Sequence, residues 1–281
     1  MLWELILKGW SHKILYSKTV GMKIKQLNKY LFLIIMALVP MGVLAGNYIQ
    51  KLSFFRKIPE YSNYLFEPAF IPWLLLIILF LFLALIVGKL DLSSFLITKK
   101  NALFGLKITI IPFLISIFVF SLHDLLATGS LDYIRVLLHI WFIITKSLSI
   151  SIFSSLIFQG IFLLQFYLLL KKNMSNKLAI SASYIATIFI TLLYFLLVSK
   201  VSLTNWPILL SLLIVIATTN FVFLKTVNLI FSIGIQALFS YRIDSLIIIV
   251  TAIIIALLWN KIYPYNDNNY SIWKDGLQID S

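Results

Sequence analysis

Residues 146–172 read KSLSISIFSSLIFQGIFLLQFYLLLKK, and this stretch decides the fold. Between its flanking lysines lie 24 residues without a charge, more than the ~20 that carry a helix across hydrocarbon. Serines and glutamines nevertheless recur inside it. The rest of the chain has the same character: of 281 residues, 61% are hydrophobic and 12% charged, with a mean hydropathy of +1.02. A soluble domain of this length has no interior large enough to hide so much apolar surface. The composition points to an all-α, polytopic membrane bundle.

Apolar runs fall at 30–46, 70–89, 105–124, 135–170, 178–199, 206–224, 226–241 and 245–260, which predicts about eight transmembrane helices. The fourth run, about 54 Å as a straight helix, is too long for one simple crossing. It is read either as a hairpin turning near TKSLS, or as an interfacial or re-entrant piece at 135–146 followed by a span at roughly 148–170. A single crossing keeps Lys171, Lys172 and Lys177 on the cytoplasmic side with Lys99 and Lys100, as the bias of cytoplasmic loops toward lysine demands. The division that follows is an amphipathic interfacial segment at 1–29, one transmembrane domain at 30–260 and a polar tail at 261–281. Both termini are then cytoplasmic, and the basic-inside pattern favours a bacterial inner membrane.

The net charge of +13 belongs to this lysine rim and to anionic lipid; no basic and aromatic surface for nucleic acid is visible. Cysteine is absent, which removes disulfides, thiolate nucleophiles and iron–sulfur sites. The three histidines, His12, His123 and His139, have no metal-ligand spacing. Neither a cofactor nor a metal is expected.

Within the fourth run Ser147, Ser151, Ser155 and Gln159 follow one another at four-residue intervals, with Ser154 beside them. That interval keeps side chains on one helix face. The seventh run repeats it in Asn228, Ser232, Gln236 and Ser240, the fifth offers Ser183, Thr187 and Thr191, and the sixth Thr218, Thr219 and Asn220. Facing lipid, these groups would lack partners, so a polar internal face is expected, acting as helix-to-helix glue or lining a cavity. Catalysis has little to work with. A serine needs a neighbouring base and the developing charge a stabiliser, but the strips hold no Asp, Glu or His. Gln159 and Asn228 are no bases. His139 lies fifteen residues before Ser154, about 22 Å along a helix unless the chain breaks between them.

The segment SSLIFQG at 154–160 resembles the first signature of the CAAX protease and bacteriocin-processing (CPBP) membrane family: two glutamates, three mostly apolar residues, arginine and commonly glycine. Ser154 and Ser155 stand at the glutamates, Gln159 at the arginine, and Gly160 at the glycine. The second signature, phenylalanine then histidine four residues later, falls loosely at Thr187 and Thr191. The last, histidine then asparagine, falls at Asn228 and Ser232. The resemblance covers 135–240 and implies a helical CPBP-like core with its catalytic groups replaced. If any activity survives, Ser154, Ser155, Gln159 and Asn228 are its candidate residues.

The resulting expectation is a non-catalytic membrane scaffold or binding subunit of a larger complex, a pseudoprotease recognising hydrophobic peptides or partner helices. Its partners would be membrane lipids and other membrane proteins. The alternatives are a CPBP-like intramembrane peptidase or bacteriocin-immunity protein, and a transporter or channel component. Scarce ionisable groups in the spans and the absence of visible inverted repeats weigh against the last.

Overall fold

The computed structural model describes residues 27–49, 77–90, 92–97, 99–199, 206–239 and 245–262. The segments expected at 1–29 and 261–281 lie outside these residues except at their inner edges, as do Ser240 and His12. Among the described residues all regular structure is helical, with no strand: α1 Lys29–Ile49, α2 Ile77–Val87, α3 Lys99–Thr128, α4 Tyr133–Lys171, α5 Asn176–Ser199, α6 Trp206–Thr226, α7 Leu229–Leu238 and α8 Ser245–Ile262.

The expectation of eight spans is overturned. Four helices among the described residues, α3, α4, α5 and α6, are long and apolar enough to cross a membrane, whereas Lys29–Val39, Ile77–Val87, Leu229–Leu238 and Leu246–Trp259 are shorter apolar stretches. Hydropathy counts apolar residues without asking whether one continuous helix carries them. At 226–241 it does not. Val227 takes a positive φ of 50°, Asn228 leaves helical geometry to cap the next helix, and α7 is then ten residues long. Ten residues rise about 15 Å, half of the ~30 Å of hydrocarbon.

The fourth run also resolves. No hairpin turns at TKSLS: one helix continues from Tyr133 to Lys171 for 39 residues, passing through two π-type stretches at Ile143–Ser147 and Ser155–Leu163. Helix α4 is the central pillar, 76% of its most apolar window being buried, whereas α3 lies at the periphery with 17%. Phe153, Ile157, Phe158 and Ile161 of α4 form an apolar core with α1, α2 and α5. A second core joins Val222 of α6, Phe231 and Ile235 of α7 and Trp259 of α8.

Helix α3 turns into α4 through Gly129 at φ 74°, a left-handed geometry that glycine adopts without steric penalty. The Asp132 side chain caps α4 by accepting from the backbone N–H of Ile134 (2.9 Å) and Arg135 (3.3 Å). Asp124 is buried and meets the Arg135 guanidinium at 3.0 Å, so the tip of this hairpin is pinned by charge. The opposite end of the bundle gathers Lys99 and Lys100 at the start of α3, Lys171 and Lys172 at the end of α4, Lys177 at the start of α5 and Lys261 near the end of α8.

Candidate functional site

The polar groups expected on one face divide into two kinds. Some only bond back to their own helix. Ser151 Oγ donates to the Ser147 carbonyl (2.7 Å), Ser154 Oγ to that of Ile150 (2.8 Å), Thr187 Oγ1 to that of Ser183 (2.6 Å) and Thr191 Oγ1 to that of Thr187 (2.7 Å). All are buried, and such four-residue back-bonding satisfies a hydroxyl without needing a second helix.

The others join helices. Ser155 Oγ on α4 donates to Gln236 Oε1 on α7 at 2.7 Å. Reciprocally, Ser232 Oγ on α7 donates to Gln159 Oε1 on α4 at 2.6 Å. The two helices run antiparallel, so equal four-residue spacings on each bring Ser to Gln twice, as a clasp. Gln159 Nε2 then donates to Asn220 Oδ1 of α6 at 3.3 Å, and the Thr219 carbonyl lies 3.2 Å from Ser232 Oγ. Gln159 therefore joins α4, α6 and α7.

Asn228 is not part of this clasp, contrary to its place in the expected strip. It sits at the break before α7. Its Oδ1 caps α7 by accepting from Phe231 N–H (2.9 Å), and its Nδ2 donates to the backbone carbonyl and Oδ1 of Asn101 (both 2.7 Å). Asn101 Nδ2 in turn donates to the carbonyls of Leu96 and Val227, both at 3.0 Å. Two asparagines thus satisfy backbone groups that the chain break exposes, as buried polar backbone requires.

Glycine permits this junction. A Cβ on Gly105 would collide with the Asn228 amide, and one on Gly234 with Thr109, so α3 and α7 touch backbone to side chain at two levels. Sequence reasoning missed Asn101 and Gly105. The signal was present, because Asn101, Gly105 and Thr109 follow the same four-residue interval that revealed the strip on α4.

Chemically the clasp is neutral. The hydroxyl protons of Ser154 and Ser155 point to a backbone carbonyl and an amide oxygen, neither of which takes up a proton at ordinary pH. His139 comes no nearer, since α4 is unbroken. Its ring stacks on Phe120 with centroids 4.2 Å apart and an interplanar angle of 4°. Among the described residues, no group of three or more His, Cys, Asp or Glu side chains could hold a metal ion. One amide donor, Asn220 Nδ2, is buried and has no partner among the described residues.

Comparison with protein-family models, with curated proteins and with solved structures gives no match. The fold and the site's chemistry therefore carry the functional reading. The protein is a multi-pass, all-helical membrane protein whose described polar centre contains no obvious catalytic constellation.

Proposed function

We propose that this protein is a non-catalytic binding or scaffold subunit of a membrane complex, with the Ser–Gln clasp as its structural keystone. The observation that carries this reading is the reciprocal pairing of Ser155 with Gln236 and of Ser232 with Gln159. A nucleophile needs its proton directed at a base; here both hydroxyls are spent holding α4 against α7. The CPBP resemblance belongs to the same proposal. Of the positions aligned with the family's acidic pair and arginine, Ser155 and Gln159 join helices and Ser154 bonds back to its own, as in a relative that has lost the reaction.

Orientation follows from charge. With the lysine end of the bundle in the cytoplasm, the Asp124–Arg135 hairpin tip faces outward, and a bacterial inner membrane is the setting that suits such a bias. Hydrophobic peptides or partner helices are the ligands of this reading, because the exposed surface of the spans is apolar.

Purification of the full chain from its native membrane in mild detergent tests the proposal. A stoichiometric membrane partner is expected to co-elute. Recovery of a lone monomer in several detergents, or cleavage of a membrane peptide that stops when Ser154, Ser155 and Gln159 are together replaced by alanine, would overturn it.

A further inference from the structure

A cleft of about 400 Å³ opens between α3, α4 and α7. Its walls include Leu106, Ile110 and Phe113 of α3, Ile144 and Leu148 of α4, and Gly234 of α7. The one hydroxyl in the lining, that of Thr109, donates to the Gly105 carbonyl at 2.7 Å. No wall group is left to orient a polar ligand, although sites for polar molecules ordinarily carry a few convergent donors and acceptors. The walls therefore suit an apolar occupant. Leu106, Ile110 and Ile144 are each about half exposed, so the cleft opens sideways to the bilayer rather than along the bundle axis.

Charge marks the other end of that occupant. Lys99 precedes Leu106 by seven residues, which returns it to the same face of α3 two turns nearer the lysine end. It is exposed and has no ion-pair partner among the described residues. Leu106 and Phe113 lie about 10 and 21 Å beyond it along the helix. A headgroup at Lys99 thus places the cleft at the depth of the chain's middle and end, within the ~15 Å of one leaflet's hydrocarbon and just past the midplane.

We propose that this cleft binds one acyl chain of an anionic phospholipid whose phosphate rests on Lys99. This site is separate from the scaffold reading: it concerns lipid on α3, whereas that reading stands or falls on a protein partner. Native mass spectrometry of the purified full chain, titrated with a palmitoyl-oleoyl phosphatidylglycerol or the matching phosphatidylcholine, supplies the test. One phosphatidylglycerol is expected to be retained in preference to phosphatidylcholine. Lys99→Gln should weaken the phosphatidylglycerol about fivefold, the effect of the ~1 kcal/mol that one lysine contributes at an anionic surface, and weaken phosphatidylcholine less, because its choline cation already offsets the charge of its phosphate. Ile110→Trp, filling the cleft from its exposed rim, should reduce retention of both lipids at least tenfold; Ile144→Trp does the same from the opposite wall and serves if the first variant folds poorly. Equal retention of the two lipids by the unaltered chain, or unchanged retention in both tryptophan variants, would overturn the site.

Discussion

Gln159 holds together three helices with one amide, and that makes it the most informative residue to change. Its oxygen receives the Ser232 hydroxyl and its nitrogen gives to Asn220, so truncation orphans groups on two helices at once. Hydrogen bonds between membrane helices average about 0.6 kcal/mol and reach about 1.7. Short distances and full burial place this pair toward the upper figure. Gln159→Leu and Ser232→Ala should each destabilise the protein, with a coupling of about 1 kcal/mol in a double-mutant cycle read by unfolding in detergent. Additive effects would show that the two side chains do not work as a pair. Ser154→Ala, in contrast, removes only a back-bond to Ile150 and should change stability by less than about 0.5 kcal/mol. Of two adjacent serines, one ties helices and the other does not.

At the scale of elements, the break between α6 and α7 is the feature that departs most from a plain bundle. A residue in left-handed geometry and an asparagine cap end one helix and start another, and Asn101 bonds the exposed Val227 carbonyl from α3. The repair depends on Gly105, whose missing side chain leaves the space that the Asn228 amide occupies. Asn228 cannot move aside without losing its cap on Phe231 N–H and both bonds to Asn101. Gly105→Ala should therefore destabilise by about 1–3 kcal/mol, the usual range for overpacking. Adding Asn228→Ala should cost less than the sum, because the collision partner has gone; a strictly additive pair in thermal unfolding would exclude this contact as the cause. Gly160 is a milder case. A Cβ there meets Phe95 at 3.1 Å, so alanine asks for a small shift, and leucine should cost more than alanine in the same assay.

Across the whole molecule, the two ends of the bundle are chemically different. Lysines collect at one end, while the other carries the Asp124–Arg135 pair and Asp132. The chain has no cysteine, so single cysteines can report which side each end occupies. Ser130→Cys, at the α3–α4 turn, should react with a membrane-impermeant maleimide on intact cells. Lys172→Cys, at the α4–α5 turn, should react only after permeabilisation. The reverse pattern would invert the topology and move the Lys99 lipid site to the outer leaflet.

Much of this was legible in one dimension. Composition alone forces a helical membrane protein, because no water-soluble core could bury so many apolar residues. Four-residue spacing placed Ser155 and Gln159 on one face, and Ser232 and Gln236 on another, because helix geometry is local. The number of spans was not legible. A hydropathy run is blind to Val227 and Asn228 turning the chain inside it, and so a ten-residue helix was read as a crossing. Nor could spacing say which strip would meet which, separate the hydroxyls that bond home from those that reach across, or take Asn228 out of its strip and set it against Asn101. Those choices depend on the distance between helices remote in sequence, which between α3 and α7 Gly105 and Gly234 set by leaving out a side chain. The sequence by itself determined the solvent and the helical class; tertiary packing alone decided where the helices break and which polar groups pair, since a buried polar group takes whichever complement the fold brings within reach.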